Sequence, residues 1–365
     1  MPSRAGGREA YYEGMLNVAK IDLSAIRDNA NKIKAILPKN TAFCAVVKAD
    51  AYGHGAARVA ETLHGIADCF AVALDEEGMR LRRAGITEDI LVFNPVSLGD
   101  YIAAAENRLT VCVSGVSEIL SAERAGRSLG LPVKTHLKIN TGMNRGGAEE
   151  KDSEKILSLY ARCGYAKLCG VFSHYGAPEN DELFLRATEK FRQAVKTFKS
   201  FDKNVTAHIS ASGGFIRGAY FDMVRIGILL YGYKPFKSDA LTVRPAMKIF
   251  APVICERDVC AGETLLYGTE RLSENVSARI IRYGYADGLP REKTALDVAA
   301  RCMDVSAEKV YGKVPRGGGK KAGKRFVRVL DNAEVLAEKY NTISYEILTK
   351  SAARAEKIYI DESKK

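Results

Sequence analysis

The residue with the most distinctive chemistry in this chain is Lys48, which ends an apolar, β-prone run at 43–47. Burial lowers the pKa of an amine because it penalises the charged form. The neutral amine is a nucleophile, and it is the form of lysine that makes a Schiff base with an aldehyde cofactor. The alternative is an ordinary strand-end lysine whose amine extends to solvent.

Further polar side chains lie at or just past the ends of later strand-like runs: Arg145, His174, Ser212 and Arg225. If these runs are parallel strands of one barrel, their carboxyl ends meet at the face where barrel enzymes place their active sites. The loops after the last two strands of such barrels commonly bind phosphate through backbone N–H groups and hydroxyls. The pattern therefore predicts one site with an amine, cations and a phosphate cradle.

The alternation of strand-like and helical patterns predicts the elements that must position these groups. Eight apolar runs cover 43–48, 69–74, 90–93, 109–113, 133–139, 168–173, 205–210 and 223–226. With helical patterns between most of them, they predict an α/β fold, a (β/α)8 TIM barrel. Beyond residue 244 short strands follow at 247–255, 264–266, 277–281, 325–330 and 342–347. We therefore predict an N-terminal tail at 1–16, a barrel at 17–243 and a mainly β C-terminal domain at 244–365.

The composition is that of an ordinary globular protein, with 47% hydrophobic and 27% charged residues. No apolar run is long enough to span a membrane, and residues 1–10 lack the apolar core of a secretory signal. The eight cysteines include no C-x-x-C pair. We expect reduced cysteines in a cytoplasmic protein, with neither a disulfide framework nor a metal site.

The formal net charge is +11, and part of the excess lies in a basic segment at 309–325 around three consecutive glycines. Apart from Tyr311, this segment has no aromatic side chains interleaved with its cations. A solvated loop fits this pattern better than a nucleic-acid interface. We expect no specific nucleic-acid partner.

Several phrases in a fixed order resemble the pattern of alanine racemases, and the resemblance covers nearly the whole chain. They are Ala-Val-Val-Lys-Ala-Asp-Ala-Tyr-Gly-His-Gly at 45–55 and the phrases at 136–138, 141–145, 173–174, 222–228, 267–268, 284–288, 302–304 and 345–346. The resemblance implies a pyridoxal 5'-phosphate enzyme with a barrel and a C-terminal β domain. It also implies an amino-acid substrate and a homodimer with shared active sites.

By this resemblance, Lys48 would hold the cofactor as a Schiff base and act as one catalytic base. Tyr267 would be the opposite base, reaching into the partner subunit's site. Racemisation removes a proton from one face of the α-carbon and returns one to the other, so each face needs a proton donor. Without the resemblance, Tyr267 would be an ordinary half-buried tyrosine.

The resemblance places Arg225 at the pyridine nitrogen of the cofactor, with His174 hydrogen-bonded to this arginine. Because a guanidinium has no proton-accepting site, the ring nitrogen should stay unprotonated, which favours simple reprotonation of the substrate. The alternatives are a barrel-rim ion pair for Arg225 and a satisfied core histidine for His174.

The remaining roles implied by the resemblance concern the substrate and the phosphate. Arg145 would orient the phenolic oxygen of the cofactor and the substrate carboxylate, and Lys138 would be a carbamylated lysine that steadies it. The alternative for Lys138 is a cation beside another cation, which is unfavourable unless something neutralises it. The phosphate would be bound by Tyr52, Ser212, Gly227, Ile228 and Tyr345. The partner subunit would line the substrate entrance with Tyr285, Met303 and Asp304.

Three departures from the family pattern concern the pocket more than the cofactor site. Asn140 stands where aspartate is usual, Ala211 stands where asparagine is usual, and the segment at 289–301 is short. The activity that we expect is interconversion of L- and D-alanine, supplying D-alanine for peptidoglycan. The alternatives are a racemase for serine or basic amino acids, a related barrel decarboxylase and a non-catalytic cofactor-binding barrel. Arg225 argues against the decarboxylase, which needs an acidic group at the pyridine nitrogen.

Overall fold

The computed structural model describes residues 16–95, 97–267, 270–291, 298–309 and 326–361. Most of the predicted tail at 1–16 and of the basic segment at 309–325 lies outside these ranges, as does part of the segment at 289–301. The chain divides into two compact units, Leu23–Pro245 and a second unit that joins the N-terminal residues through Asp22 to Ala246–Lys365.

The first unit is built on eight parallel strands within the described residues. After β1 (Val18–Asp22), which belongs to the second unit, these strands are β2 (Ala42–Val46), β3 (Cys69–Val72), β4 (Asp89–Val92), β5 (Thr110–Val113), β6 (Val133–Lys138), β7 (Ala166–Phe172), β8 (Thr206–His208) and β9 (Met223–Ile226). They pair in the order β8-β7-β6-β5-β4-β3-β2-β9. Backbone hydrogen bonds from Asp222 to Ala207 and from Arg225 to Ser210 join the two ends. The predicted (β/α)8 barrel is confirmed.

Helices precede and connect the barrel strands. They span Leu23–Ile36, Ala56–Thr62, Asp75–Arg83, Leu98–Glu106, Val116–Leu129, Ser153–Tyr160, Asp181–Phe201 and Ser212–Ile216. Short 3-10 turns cover Glu150–Asp152 and Ile228–Tyr231. No described helix of this protein is long and apolar enough to cross a membrane.

The barrel strands are apolar over most of their length because helices cover the outer face and side chains fill the interior. Phe70, Ala71 and Val72 of β3 have no exposed surface, and neither do Ile90 and Val92 of β4. This is why the sequence reads as continuous apolar runs rather than as alternating strands. The carboxyl ends of these strands carry the polar groups described below.

The second unit contains a mixed sheet of seven strands among the described residues. Besides β1 they are β10 (Met247–Val259), β11 (Val276–Ile281), β12 (Val298–Arg301), β13 (Ser306–Lys309), β14 (Phe326–Leu330) and β15 (Glu356–Ile360). The order is β12-β13-β11-β10-β1-β15, with β14 also paired to β10. This mainly β unit confirms the predicted fold class of the C-terminal region.

Two secondary-structure predictions in this unit are wrong. The run at 342–347 was predicted to be a strand, but Ser344–Ser351 forms a helix, preceded by another helix at Ala333–Lys339. Over so short a run, alternating apolar residues are compatible with the periodicity of a strand or of a helix. Ser344 and Glu346, at the beginning of the segment, favour the start of a helix. Residues 264–266 form no strand either.

The predicted unit boundaries also need correction at both junctions. The strand β1 was assigned to the barrel at 17–243, but it pairs antiparallel with β10 and parallel with β15. The first unit therefore begins at Leu23 and extends to Pro245. A five-residue strand carries no local signal of its partner, since its hydrogen bonds go to residues more than 200 positions away.

Candidate active site

Lys48 lies directly after β2, where the chain enters a left-handed turn. Ala49, Asp50, Ala51 and Tyr52 all have positive φ angles, between 51° and 55°. This conformation costs about 1–2 kcal/mol for each residue that has a Cβ atom. Four consecutive residues in this unfavourable conformation require stabilising contacts from the surrounding structure. Such strained backbone is common at functional sites.

Tyr231 supplies much of the packing that holds the turn. Its ring lies 4.9 Å from that of Tyr52 and stacks at 4.5 Å on the imidazole of His54. Its hydroxyl donates a hydrogen bond to the carbonyl oxygen of Val46, at 2.9 Å. Tyr231 is fully buried, so the turn is anchored to the barrel core on the side opposite to solvent.

Cations from β6, from the loop after it and from β9 share one electrostatic environment with the Lys48 amine. Burial lowers the pKa of Lys48, and the charges of Arg145 and Arg225 lower it further, whereas Glu77 raises it. Burial also lowers the pKa of Lys138, with added effects of the two arginines. The excess of positive charge disfavours every charged amine in the cluster and attracts an anion.

Arg225 is a buried guanidinium that is held by neutral acceptors. It is 3% exposed and donates to the carbonyl oxygens of Ser173 at 2.7 Å, His208 at 3.1 Å and Ile209 at 3.0 Å. Its Nη2 atom lies 3.5 Å from Nδ1 of His174. Burial lowers the pKa of Arg225 to about 10, which still leaves the group charged at neutral pH.

A second histidine, His208, holds the other side of this guanidinium and is itself held by His136. Nη1 of Arg225 lies 2.6 Å from Nδ1 of His208, and Nε2 of His208 lies 2.8 Å from Nδ1 of His136. Because a guanidinium only donates, Nδ1 of His208 must accept, and its Nε2–H then donates to His136. Burial, with the charge of Arg225, lowers the pKa of His136 to about 4, so both imidazoles are neutral.

The imidazole of His174 is neutral in its surroundings. Burial lowers its pKa to about 3, and the charges of Arg225, Arg145, Lys48 and Lys138 contribute. A neutral imidazole can accept a hydrogen bond from Arg225 through Nδ1 and still offer an N–H on its other side. The expectation of an Arg225–His174 contact therefore agrees with the geometry.

A small cradle forms where the left-handed turn meets the end of β9. A Cβ atom on Gly227 would lie 2.5 Å from the hydroxyl oxygen of Tyr52, so only glycine admits this hydroxyl. The backbone N–H of Gly227 donates to the hydroxyl of Ser212 at 3.3 Å. Ile228 follows and opens a 3-10 turn. Two hydroxyls and backbone N–H groups converge here, as phosphate binding requires.

The loop after β6 carries Arg145, and Asn140 organises it. The side-chain oxygen of Asn140 accepts from the backbone N–H groups of Gly142 and Asn144, both at 3.1 Å. Its amide nitrogen donates to Asn144 at 2.9 Å and to Glu149 at 2.8 Å. An ionised aspartate at this position would accept but not donate, so the hydrogen bond to Glu149 depends on the amide of Asn140.

The other predicted residues belong to the second unit: Tyr267, Tyr285, Met303, Asp304 and Tyr345. Tyr267 is 83% exposed and follows Leu266, which has a φ of 57°. Backbone hydrogen bonds join Tyr285 to Cys302 and Ala286 to Met303, so these two segments are adjacent. Asp304 accepts from Arg354 at 2.8 Å. Tyr345 lies in the helix Ser344–Ser351, and burial raises its pKa to about 12.

Three groups beside the predicted ones were not predicted: Glu77, His208, and Asn140 in its role of ordering the loop after β6. His208 stands at the end of β8, and its position after an apolar run was a usable signal. Glu77 looks like any acidic residue in the first turn of a helix. Its role depends on a contact across 28 residues of sequence, which no local pattern reveals.

Two family models match the chain and together span most of it. The model described as "Alanine racemase, N-terminal domain" matches residues 21–235, and the one described as "Alanine racemase, C-terminal domain" matches residues 246–359. The division between them coincides with the junction of the two compact units at Pro245 and Ala246.

Named relatives and solved structures agree with the family models. Alanine racemase 1 of Bacillus subtilis is 30% identical over 365 residues, covering 94% of this chain and 92% of the relative. The alanine racemase of Methanococcus maripaludis is 31% identical over 374 residues, covering 94% and 98%. The solved alanine racemase of Clostridium difficile 630 has a TM-score of 0.87 at 28% identity, covering 95% of this chain and 96% of that one. This chain belongs to the alanine racemase family.

Proposed function

We propose that this protein is a pyridoxal 5'-phosphate-dependent racemase that interconverts L- and D-alanine. The observation that carries the proposal is the position of the half-buried Lys48 just past the carboxyl end of β2, in a cluster with Arg145 and Arg225; burial and these two charges lower its pKa. A neutral amine at this position can hold an aldehyde cofactor and exchange a proton with an amino acid. Membership of the family and the named relatives support the choice of reaction.

The residues at the barrel face fit this cofactor. Tyr52 and Ser212 bring hydroxyl groups, and Gly227 brings a backbone N–H, to the place where a phosphate group would bind. Glycine at 227 also leaves room for the Tyr52 hydroxyl, which a Cβ atom would displace. Ile228 and Tyr345 complete the proposed set. When bound, the cofactor supplies a heteroaromatic ring that delocalises the electrons of the substrate's α-carbon and so weakens its C–H bond.

Lys48 and Tyr267 are the proposed bases on the two faces of the α-carbon. Lys48 takes or gives the proton on one face through Nζ, and Tyr267 does so on the other through its hydroxyl oxygen. Tyr267 is 83% exposed in the single chain, which supports a role in the site of a second copy. We therefore propose a homodimer in which each subunit completes the other's site.

Arg225 is proposed to contact the pyridine nitrogen as a permanent donor. Its buried position among carbonyl oxygens and two neutral histidines leaves no proton-accepting atom toward the ring. The histidines hold the guanidinium plane in one orientation, and His174 would also pack near the ring of a bound cofactor. An unprotonated ring stabilises negative charge less well, which favours rapid return of the proton over other reactions.

Arg145 is proposed to bind the substrate carboxylate, with Lys138 beside it in carbamylated form. Burial and the two nearby arginines lower the pKa of Lys138, and the neutral amine is the form that reacts with carbon dioxide. A carbamate turns a repelling cation into an anion that hydrogen-bonds Arg145. The proposed entrance residues of the partner subunit are Tyr285, Met303 and Asp304.

A racemase for serine or for basic amino acids is the second candidate, because Asn140, Ala211 and the short segment at 289–301 depart from the family pattern. A non-catalytic cofactor-binding barrel is less consistent with the match of the C-terminal family model to residues 246–359. We further propose that the protein acts in the cytoplasm and supplies D-alanine for peptidoglycan.

Chiral chromatography after incubation with L-alanine, L-serine or L-lysine tests the substrate. We expect D-alanine to form much faster than the other D-amino acids. Faster racemisation of serine or lysine would replace the proposed substrate, and no racemisation of any of them would contradict the proposed function.

Mixing two inactive variants, Lys48→Ala and Tyr267→Phe, tests the shared site. If Tyr267 acts in the partner subunit, each mixed dimer has one intact site, and random reassociation restores about one quarter of the wild-type activity. If Tyr267 acts within its own chain, every site carries one lesion and no activity returns. Mixing Lys48→Ala with itself is the matched control.

A further inference from the structure

Glu77 links the helix after β3 to the backbone beside Lys48. It is the third residue of the helix Asp75–Arg83. Oε1 accepts a hydrogen bond from the backbone N–H of Ala49 at 2.6 Å. Oε2 accepts from the N–H groups of Ala73 at 2.8 Å and Leu74 at 3.2 Å. One carboxylate therefore ties three backbone donors from two loops.

The hydrogen bond between Glu77 and Ala49 lies where the backbone changes from negative to positive φ angles. Val47 has φ −118° and ψ 20°, whereas Ala49 has φ 51° and ψ 49°. Lys48 stands between these two conformations, and the direction of its Cα–Cβ bond depends on where the left-handed turn begins. A short charge-assisted hydrogen bond at Ala49 fixes that point.

We propose that Glu77 is a positioning residue for Lys48, acting through the backbone N–H of Ala49. The inference deepens the proposed function, since it takes Lys48 as the reactive amine. Glu77 touches neither the substrate nor the cofactor in this scheme. Its carboxylate aims the amine, and its charge opposes the cations that face the same amine.

The charge of Glu77 is the second part of its effect. Lys48 faces Arg145 from the loop after β6, Arg225 from β9 and His174 from the end of β7. The two arginines lower the pKa of Lys48, and Glu77 raises it. Removing the carboxylate should therefore move the titration of the amine to lower pH, because less negative charge then stabilises the protonated form.

Competitive labelling of the cofactor-free full-length protein with acetic anhydride separates the two effects. The labelling rate at Lys48, followed by peptide mass spectrometry, rises with pH to a plateau as the amine loses its proton. The midpoint reports the charge environment, and the plateau reports how the neutral amine is presented. Neither quantity depends on whether the protein racemises alanine.

The variants are Glu77→Gln, Glu77→Asp and the matched control Glu76→Gln. Glu76 is exposed, is the neighbour in the same helical turn and loses the same charge. We expect Glu77→Gln to lower the midpoint for Lys48 and Glu77→Asp to retain it. Covalent trapping of pyridoxal phosphate at Lys48 by borohydride, compared at each variant's plateau pH, should fall about 10-fold or more in both Glu77 variants, as the loss of a hydrogen bond to a charged group implies.

A residue that merely caps its helix would change the thermal unfolding midpoint and leave these readings alone. Wild-type values of both the labelling midpoint and the trapping rate in Glu77→Gln would overturn the inference. If Glu77→Gln does not fold, Glu77→Asp decides alone, since unchanged trapping in that variant would also overturn it. Absence of racemisation with Glu77-dependent labelling would instead remove the proposed function and leave the positioning role.

Discussion

Replacing Gly227 with alanine would place a Cβ atom 2.5 Å from the hydroxyl oxygen of Tyr52. The hydroxyl would have to retreat by about 0.9 Å to reach the 3.4 Å at which ordinary contact begins. Tyr52 is 6% exposed and packs on Tyr231, so the hydroxyl can retreat only if the whole ring shifts within this packing. The substitution therefore displaces the Tyr52 side chain and moves its hydroxyl out of the cradle.

That hydroxyl is proposed to bind the cofactor phosphate. A retreat of this size lengthens a hydrogen bond of ordinary length beyond the distance at which it is still formed. A hydrogen bond to a charged group contributes about 1.5–3 kcal/mol, so the affinity for pyridoxal phosphate should fall about 10- to 150-fold.

Absorbance titration of the cofactor-free protein with pyridoxal phosphate measures this affinity. Gly99→Ala is the matched control, because its added Cβ atom would meet Ser97 at an ordinary 3.5 Å. Tyr52→Phe removes the same hydroxyl, so the losses in Gly227→Ala and Tyr52→Phe should overlap rather than add in the double variant. Wild-type affinity for pyridoxal phosphate in Gly227→Ala would refute the proposal that this cradle binds the cofactor phosphate. Fully additive losses of affinity in Gly227→Ala with Tyr52→Phe would refute it as well.

Three further perturbations follow from the same geometry. Lys48→Ala should lose the borohydride-trapped cofactor and the racemase activity together, and activity that survives would remove the lysine from the mechanism. Asn140→Asp should raise the KM for alanine about fivefold. The new carboxylate repels Glu149 by about 1 kcal/mol, where the amide of Asn140 now donates at 2.8 Å, and this disturbs the loop that carries Arg145. Asn140→Asp combined with Glu149→Gln should recover the wild-type KM, and failure to recover it would rule out the repulsion as the cause. The free energy of unfolding should fall by about 3 kcal/mol between pH 6.5 and pH 4 through His136 alone. Its pKa is about 4 in the folded state, whereas in the unfolded chain an ordinary imidazole, with a pKa of about 6.5, is protonated at higher pH, so acid favours unfolding. Urea denaturation across this range checks the last prediction, and a flat profile would contradict the neutral histidine pair.

The barrel was predictable from sequence because its strands are buried on both faces and its helices separate them regularly. Met223–Ile226 was predicted to the residue, and the other barrel strands differ by a few positions at their ends. Lys48 was noticeable in the sequence for a related reason, since a cation at the end of an apolar strand is unusual, and the family resemblance suggested its proposed role as a reactive amine. The strand β1 was assigned to the wrong unit because its partners are remote in sequence.

The geometry of the site was much less accessible to sequence reasoning. The left-handed turn at Ala49–Tyr52 contains no glycine, so residue types alone give no signal of positive φ angles there. The contact from Glu77 to Ala49 joins a helix to a turn, and the ladder from Arg225 through His208 to His136 joins three strands. Such contacts exist only once the barrel has brought the strand ends together.

Hydrogen exchange at the α-carbon of alanine shows whether the protein racemises this amino acid through Lys48. The purified protein is incubated with pyridoxal phosphate and L-alanine in heavy water, and the products are followed by chiral chromatography and NMR. We expect D-alanine that carries deuterium at the α-carbon, with both formation and exchange abolished in Lys48→Ala. Bound cofactor with neither D-alanine nor α-deuteration would contradict it.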